Sequence, residues 1–108
     1  MRIDQNDKLK IKIAVDEICK KFKLKWVEIS LFGSRTKDHL KGGDLDLIIL
    51  LEELADSNLR NIKAEFLLAL YYQLGEQKID LVIDWPNNIN NKDFINHINK
   101  EKCILWTQ

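Results

Sequence analysis

The stretch that most constrains this chain runs over residues 31–51, with the sequence LFGSRTKDHLKGGDLDLIILL. It predicts the end of a strand, a turn at Gly33 and Ser34, a polar loop, and a second strand that carries Asp44 and Asp46. Side chains alternate across a strand, so both aspartates emerge on one face and the leucine and isoleucine side chains on the other. Aspartate is a poor strand former. The pair therefore indicates either a functional site or a strand that begins in solvent before it enters the core.

Two long helices flank this stretch, as apolar residues that recur with a helical period predict. The first covers residues 7–23, and Asp7 is its predicted N-cap. The second begins at Asp56 or Ser57 and is stopped by Gly75. Each helix carries one apolar stripe, which predicts that this side faces the core of a two-layer or three-layer domain.

Alternating apolar and polar residues predict the strands. The three main strands cover residues 26–32, 44–51 and 78–84. Residues 93–100 then predict a third helix with Phe94, Ile95 and Ile98 facing inward. Residues 103–106 predict a short terminal strand. The tryptophans are predicted to pack in the core or at its edge, and Trp85, next to a proline, is the one that best suits the alternative of a contact with a partner. Tyr71 and Tyr72 are predicted to pack within the fold.

The element order α-β-α-β-α-β-α, followed by the short terminal strand, predicts an α/β (α+β) fold in which a small mixed β-sheet is packed with helices. At 108 residues, one domain over residues 1–108 is expected. Lys+Arg and Asp+Glu balance at 17 each, so no basic field of the kind that attracts nucleic acid is predicted. No apolar run is long enough for a membrane span, and the charged N-terminus lacks the apolar segment of a signal peptide. A cytoplasmic protein with Cys19 and Cys103 as buried free thiols is expected.

A third aspartate, Asp80, lies on the polar side of the predicted strand 78–84. If that strand neighbours strand 44–51, the carboxylates of Asp44, Asp46 and Asp80 form one cluster. Close carboxylates repel each other, and a bound divalent cation removes that repulsion. Hard oxygen ligands with open positions suit Mg²⁺ held jointly with substrate phosphates. This donor set predicts in-line displacement at phosphorus.

The turn before these aspartates suits a phosphate. Gly33 allows the backbone to approach a phosphate closely, and the Ser34 hydroxyl and nearby amides can donate hydrogen bonds to it. Arg35 or Lys37 would neutralise the remaining charge. The alternative is an ordinary strand-to-helix turn.

The segments FGSRTKDHLKGGDLDLIIL and KIDLVI together resemble the minimal nucleotidyltransferases of the DNA-polymerase-β-like superfamily. The resemblance covers essentially the whole chain, although the loop between Ser34 and Asp44 is slightly shorter than that family's, which bears on where Arg35 and Lys37 lie. It implies Mg²⁺-dependent transfer of AMP from ATP to a hydroxyl. It assigns the metal to Asp44, Asp46 and Asp80. Asp80 would also act as general base, and Gly33, Ser34 and Arg35 would hold the phosphates of the nucleotide.

A chain this short has little with which to bind an acceptor, so the acceptor is expected to come from a partner, from self-association or by open access. Small members of the family resembled are commonly paired with a helical HEPN protein in toxin–antitoxin systems, where the nucleotidyltransferase is the antitoxin and can adenylylate a tyrosine of its partner. A protein acceptor and a homo- or hetero-oligomer are therefore expected. The alternatives are a catalytically inactive module that neutralises a partner by contact, and transfer to a small molecule or an RNA end.

Overall fold

The computed structural model describes residues 3–33, 44–75 and 77–108. Three helices and four strands follow one another along these residues. They are α1 (Gln5–Phe22), β1 (Trp26–Leu31), β2 (Asp44–Leu51), α2 (Leu59–Leu74), β3 (Lys78–Asp84), α3 (Lys92–Glu101) and β4 (Cys103–Thr107). A 3₁₀ turn, Asp56–Asn58, leads into α2. The short helical turn predicted between the first two strands lies outside the described residues, and otherwise the predicted order of elements is confirmed.

The four strands form one mixed sheet in the order β3-β2-β1-β4. Strand β1 runs antiparallel to both of its neighbours, while β2 and β3 are parallel. A parallel pair needs a crossover connection, which α2 provides. The predicted fold class, a small mixed sheet packed with helices, is confirmed.

Helices cover both faces of this sheet. Helices α1 and α2 pack on each other and on one face, where the main core forms. In β2 its members are Leu45, Leu47, Ile49 and Leu51. Helix α3 covers the other face through a second, smaller core of Phe32, Ile48, Ile95 and Ile98. Within the described residues no helix combines the length and the apolar character that a membrane span requires.

Two predictions about helix ends meet different outcomes. The predicted N-cap Asp7 is wrong, because the carboxylate of Asp4 caps α1 and accepts a hydrogen bond from the Asp7 backbone N–H at 2.8 Å. The predicted stop at Gly75 is confirmed. Gly75 is the C-cap of α2 with φ 83°, and its N–H donates a hydrogen bond to the carbonyl of Tyr71.

Several predictions about packing are corrected by the layer arrangement. Phe94 was expected inside but is half exposed, because it lies at the margin of the small core and meets Phe32 edge-to-face. Trp85 is 3% exposed and is part of the main core, so it cannot serve as the partner contact. Tyr71 and Tyr72 are exposed on the outer side of α2 rather than packed. Both cysteines are free, and Cys103 is only partly buried.

Candidate metal and nucleotide site

The pairing of β2 with β3 brings Asp46 and Asp80 opposite each other. The register joins Asp46 to Asp80 and, two residues earlier, Asp44 to Lys78. Residues in register on neighbouring strands project from the same face, and the strands of a sheet lie about 4.8 Å apart. The predicted cluster required these two strands to be neighbours. The pairing meets that condition for Asp46 and Asp80.

Both aspartates project from the face that α3 partly covers. Toward the carboxyl ends of the strands the next pair on this face is Ile48 and Val82, which belong to the small core beneath α3. Asp46 is half-buried and Asp80 is exposed. The carboxylates thus lie where this face of the sheet opens to solvent, beside an apolar support.

A cavity of about 420 Å³ lies at the opposite end of the sheet. It is lined by the residues that follow the carboxyl ends of β2 and β3, among them Glu52, Leu54, Trp85 and Asn87. Asp46 and Asp80 lie near the starts of these two strands, so the cavity is separated from their carboxylates by most of the length of the strands. Cavity size therefore does not identify the candidate site, and the chemistry of the donor groups does.

The turn at Gly33 contacts the carboxylate strand directly. The Phe32 backbone N–H donates to the Asp46 carbonyl oxygen at 3.0 Å. Gly33 has φ 69°, and a Cβ placed on it would lie 2.5 Å from Asp46 Oδ2. The predicted phosphate turn and the predicted metal ligand are therefore adjacent.

The remaining predicted site residues fall at or beyond the described boundaries. The backbone of Asp44 begins β2, two residues before Asp46 and thus on the same face, but its side chain lies outside the description. Ser34, Arg35 and Lys37 also lie outside the described residues. These assignments stay predictions.

Among the described side chains, no group of three Asp, Glu, His or Cys residues is placed to hold a metal ion. The Asp44 carboxylate, the third predicted ligand, is not among the side chains described. The two carboxylates that are described, on Asp46 and Asp80, are hard oxygen donors on the open part of the face. That donor set fits Mg²⁺, which usually takes one or two carboxylates and keeps its other positions for water and phosphate oxygens.

A buried polar network that the sequence did not predict secures α3 over this face. Glu28 accepts a hydrogen bond from the buried Ser30 hydroxyl at 3.1 Å and forms an ion pair with Lys102, at the end of α3. Side chains of Glu28 and Lys102 are only 16% and 18% exposed. Glu28 and Lys102 are far apart along the chain, so no local sequence pattern predicts their contact. The network helps to hold the helix that packs on this face through the small core.

Comparisons with known proteins agree with this geometry. A family model described as a nucleotidyltransferase domain matches residues 11–105. The curated proteins include no match. A crystal structure from Shewanella oneidensis is similar with a TM-score of 0.59 and 18% identity, over 91% of this chain and 71% of that chain. A chain in a structure of a toxin–antitoxin with AMP-PNP is similar with a TM-score of 0.61 and 19% identity, over 90% of this chain and 73% of that chain. At these identities the two structures support the fold.

Proposed function

The chain belongs to the nucleotidyltransferase-domain family and has the polymerase-β-like fold, and on that premise we propose that it transfers AMP from ATP to a hydroxyl of a protein partner. The proposed reaction depends on Mg²⁺. The proposed site consists of the metal ligands Asp44, Asp46 and Asp80, and of Gly33, Ser34 and Arg35 around the phosphates of the nucleotide.

One observation carries the proposal: β2 and β3 are paired in a register that places Asp46 opposite Asp80. Like charges in register on neighbouring strands are unfavourable for a sheet. An arrangement that retains them on an open part of the face is explained if they share a cation. The backbone position of Asp44, on the same face of β2, supports its inclusion as a third ligand.

In the proposed reaction the acceptor hydroxyl gives its proton to the Asp80 carboxylate as its oxygen attacks the α-phosphorus of ATP. The new O–P bond forms while the α-phosphorus loses its bond to the oxygen that bridges it to the β-phosphorus. Pyrophosphate leaves with the electron pair of that bond, and Asp80 later releases its proton to water. When bound, Mg²⁺ would neutralise negative charge on the phosphates.

The proposed acceptor is a protein, and the proposed biological role is that of an antitoxin. A structural neighbour described as a toxin–antitoxin with AMP-PNP supports this context. We propose a small helical HEPN-type protein as the partner, and the cytoplasm as the compartment in which ATP and Mg²⁺ are available.

The proposal is tested by intact mass spectrometry of the protein encoded by the adjacent gene. That protein is incubated with this chain, ATP and Mg²⁺. We expect it to gain one adenylyl group with the natural chain and none with Asp46→Asn. Glu53→Gln is the matched control, because Glu53 is an exposed acid beyond the far end of β2. An unmodified partner, or full modification by Asp46→Asn, would contradict the proposed reaction.

An inactive binding module is the second candidate, and one surface favours it. The C-terminal half of α2 has no charged residue, and it exposes an apolar stripe formed by Leu68, Tyr71 and Tyr72. Exposed apolar patches with aromatic residues and no charge are typical of protein interfaces. If the partner stays unmodified but forms a stable complex with both the natural chain and Asp46→Asn, the binding module is the better reading.

A further inference from the structure

We infer that Gly33 is a positioning residue for the Asp46 carboxylate. On this inference, glycine at position 33 leaves open the space that the Asp46 carboxylate occupies, so that a side chain there would displace the carboxylate. This role differs from the approach to a phosphate for which glycine was predicted.

The contact is specific to the Asp46 side chain. A Cβ on Gly33 would lie 2.5 Å from Oδ2, 3.3 Å from Cγ and 3.6 Å from Cβ of Asp46. The first distance is far below a van der Waals contact, whereas the last is an ordinary one. The hydrogen bond from Phe32 N–H to the Asp46 carbonyl, at 3.0 Å, joins the two backbones beside this contact. The turn and the strand therefore cannot separate easily to make room.

The easiest response to a side chain at position 33 is a rotation of the Asp46 carboxylate. Such a rotation would turn its oxygens away from the orientation they now have on the face shared with Asp80. Residues that orient metal ligands typically change metal affinity by about 10- to 100-fold when they are substituted. This consequence for the metal rests on the proposed function, whereas the orientation of the carboxylate does not.

The chain offers a matched control for the backbone strain that any substitution of Gly33 introduces. Gly33 and Gly75 both have positive φ, at 69° and 83°. A Cβ on Gly75 would meet nothing within 4 Å. Both Gly→Ala variants introduce the strain of a side chain at positive φ, and only the one at position 33 adds the contact with Asp46.

The first measurement is Mn²⁺ affinity by isothermal titration calorimetry on metal-free protein. We expect Gly33→Ala to bind Mn²⁺ about 10- to 100-fold more weakly than the natural chain, and Gly75→Ala to bind it equally well. Asp46→Ala removes Oδ2 and Cγ and leaves Cβ, so in that background Gly33→Ala should cause no further loss. Provided that the natural chain binds Mn²⁺, unchanged affinity in Gly33→Ala, or a further loss in the Asp46→Ala background, would overturn the inference.

The second measurement keeps this inference separate from the proposed function. Without metal, the ¹³C resonance of the Asp46 carboxyl group should move in Gly33→Ala and stay in place in Gly75→Ala. If the natural chain binds no Mn²⁺, the proposed function fails while this resonance still decides the positioning role. If Gly33→Ala does not fold, adding Asp46→Ala should restore the fold, and a double variant that stays unfolded would refute the inference.

Discussion

Asp46 and Asp80 lie opposite each other in the sheet with like charges, and both belong to the proposed metal site. Their carboxylates belong to residues in register on parallel strands, and like charges in that arrangement destabilise a sheet by some tenths of a kcal/mol. A bound cation converts the same pair into two ligands. Stability and metal binding should therefore respond in opposite directions to removal of one charge.

Asp80→Asn should raise the free energy of unfolding by about 0.2–1 kcal/mol in metal-free buffer, because it removes the repulsion. Added Mg²⁺ should stabilise the natural chain more than the variant, since a ligand that binds only the folded state stabilises it by mass action. Urea denaturation with and without Mg²⁺ measures both effects. Glu53→Gln, which removes an exposed acid beyond the far end of β2, should show neither effect. A loss of metal-free stability in Asp80→Asn would contradict the expected repulsion.

Cys19 should be unreactive in the folded chain. Its burial, with a smaller contribution from the negative charge of Asp16, raises its pKa from 9.0 to about 12. The thiolate is the reactive form, so at pH 8 Ellman's reagent should modify the partly buried Cys103 and leave Cys19 intact until urea unfolds the chain. Equal rates for the two cysteines in the folded chain would contradict this expectation.

The same shift gives a direction for stability at high pH. The folded state holds the Cys19 proton more tightly than the unfolded state does, whose pKa is the ordinary one. The protonated Cys19 thiol thus makes its full contribution to the free energy of unfolding below about pH 9, and this contribution decreases as the pH rises toward 12. Urea denaturation of Cys19→Ala should show a weaker loss over that range than the natural chain shows.

At the scale of the element, the start of α1 depends on one cap. Asp4→Ala should lower the free energy of unfolding by about 1 kcal/mol, because it leaves the Asp7 N–H without its 2.8 Å acceptor. Asp7→Ala, which keeps that cap and removes a charge in the first turn, should cost less. Urea denaturation of both variants gives the comparison, and a larger loss in Asp7→Ala would return the cap to the residue predicted from the sequence.

Helix α3 is held to the sheet by a small core. Ile98→Ala should cost about 2–5 kcal/mol, because Ile98 is fully enclosed between α3 and the sheet. Phe94→Ala should cost clearly less, since half of that ring is already in solvent. Equal losses would mean that the exposed ring contributes as much as a core residue.

The outcomes for β3, α1 and α3 show what sequence periodicity can and cannot predict. Alternation bounded by Trp85 and Pro86 located β3 as Lys78–Asp84 without error, because a proline cannot extend a ladder. The cap of α1 was missed because Asp4 and Asp7 are both competent N-caps only three residues apart. Phe94 was misplaced because a helical stripe indicates which side faces inward but not how far the neighbouring layer extends.

At the scale of the molecule, the predicted carboxylate cluster required the strands that carry Asp46 and Asp80 to be neighbours. Only the pairing of β2 with β3 in the structure establishes that they are. The register depends on the crossover through α2 and on packing of the whole core, which no local pattern contains. The burial of Trp85 and the ion pair of Glu28 with Lys102 are long-range in the same way. Residue types at the site could thus be predicted, whereas the supporting contacts could not.

The apolar stripe on α2 and the proposed metal site lie on opposite faces of the sheet. Helix α2 packs on one face of the sheet, so its stripe of Leu68, Tyr71 and Tyr72 faces outward on that side. Asp46 and Asp80 project from the other face. A partner bound at the stripe would not cover the carboxylates of the same chain, and contact and transfer should therefore be separable by substitution.

Leu68→Glu should abolish the complex with the protein encoded by the adjacent gene, because it places a charge in the apolar stripe. Its Mn²⁺ affinity should equal that of the natural chain, since the site lies on the other face. Size-exclusion chromatography of the mixed proteins and calorimetry with Mn²⁺ test the two halves of this expectation. Asn96→Glu, which adds the same charge to the exposed side of α3, should keep both properties. A complex that survives Leu68→Glu would exclude the stripe as the contact surface.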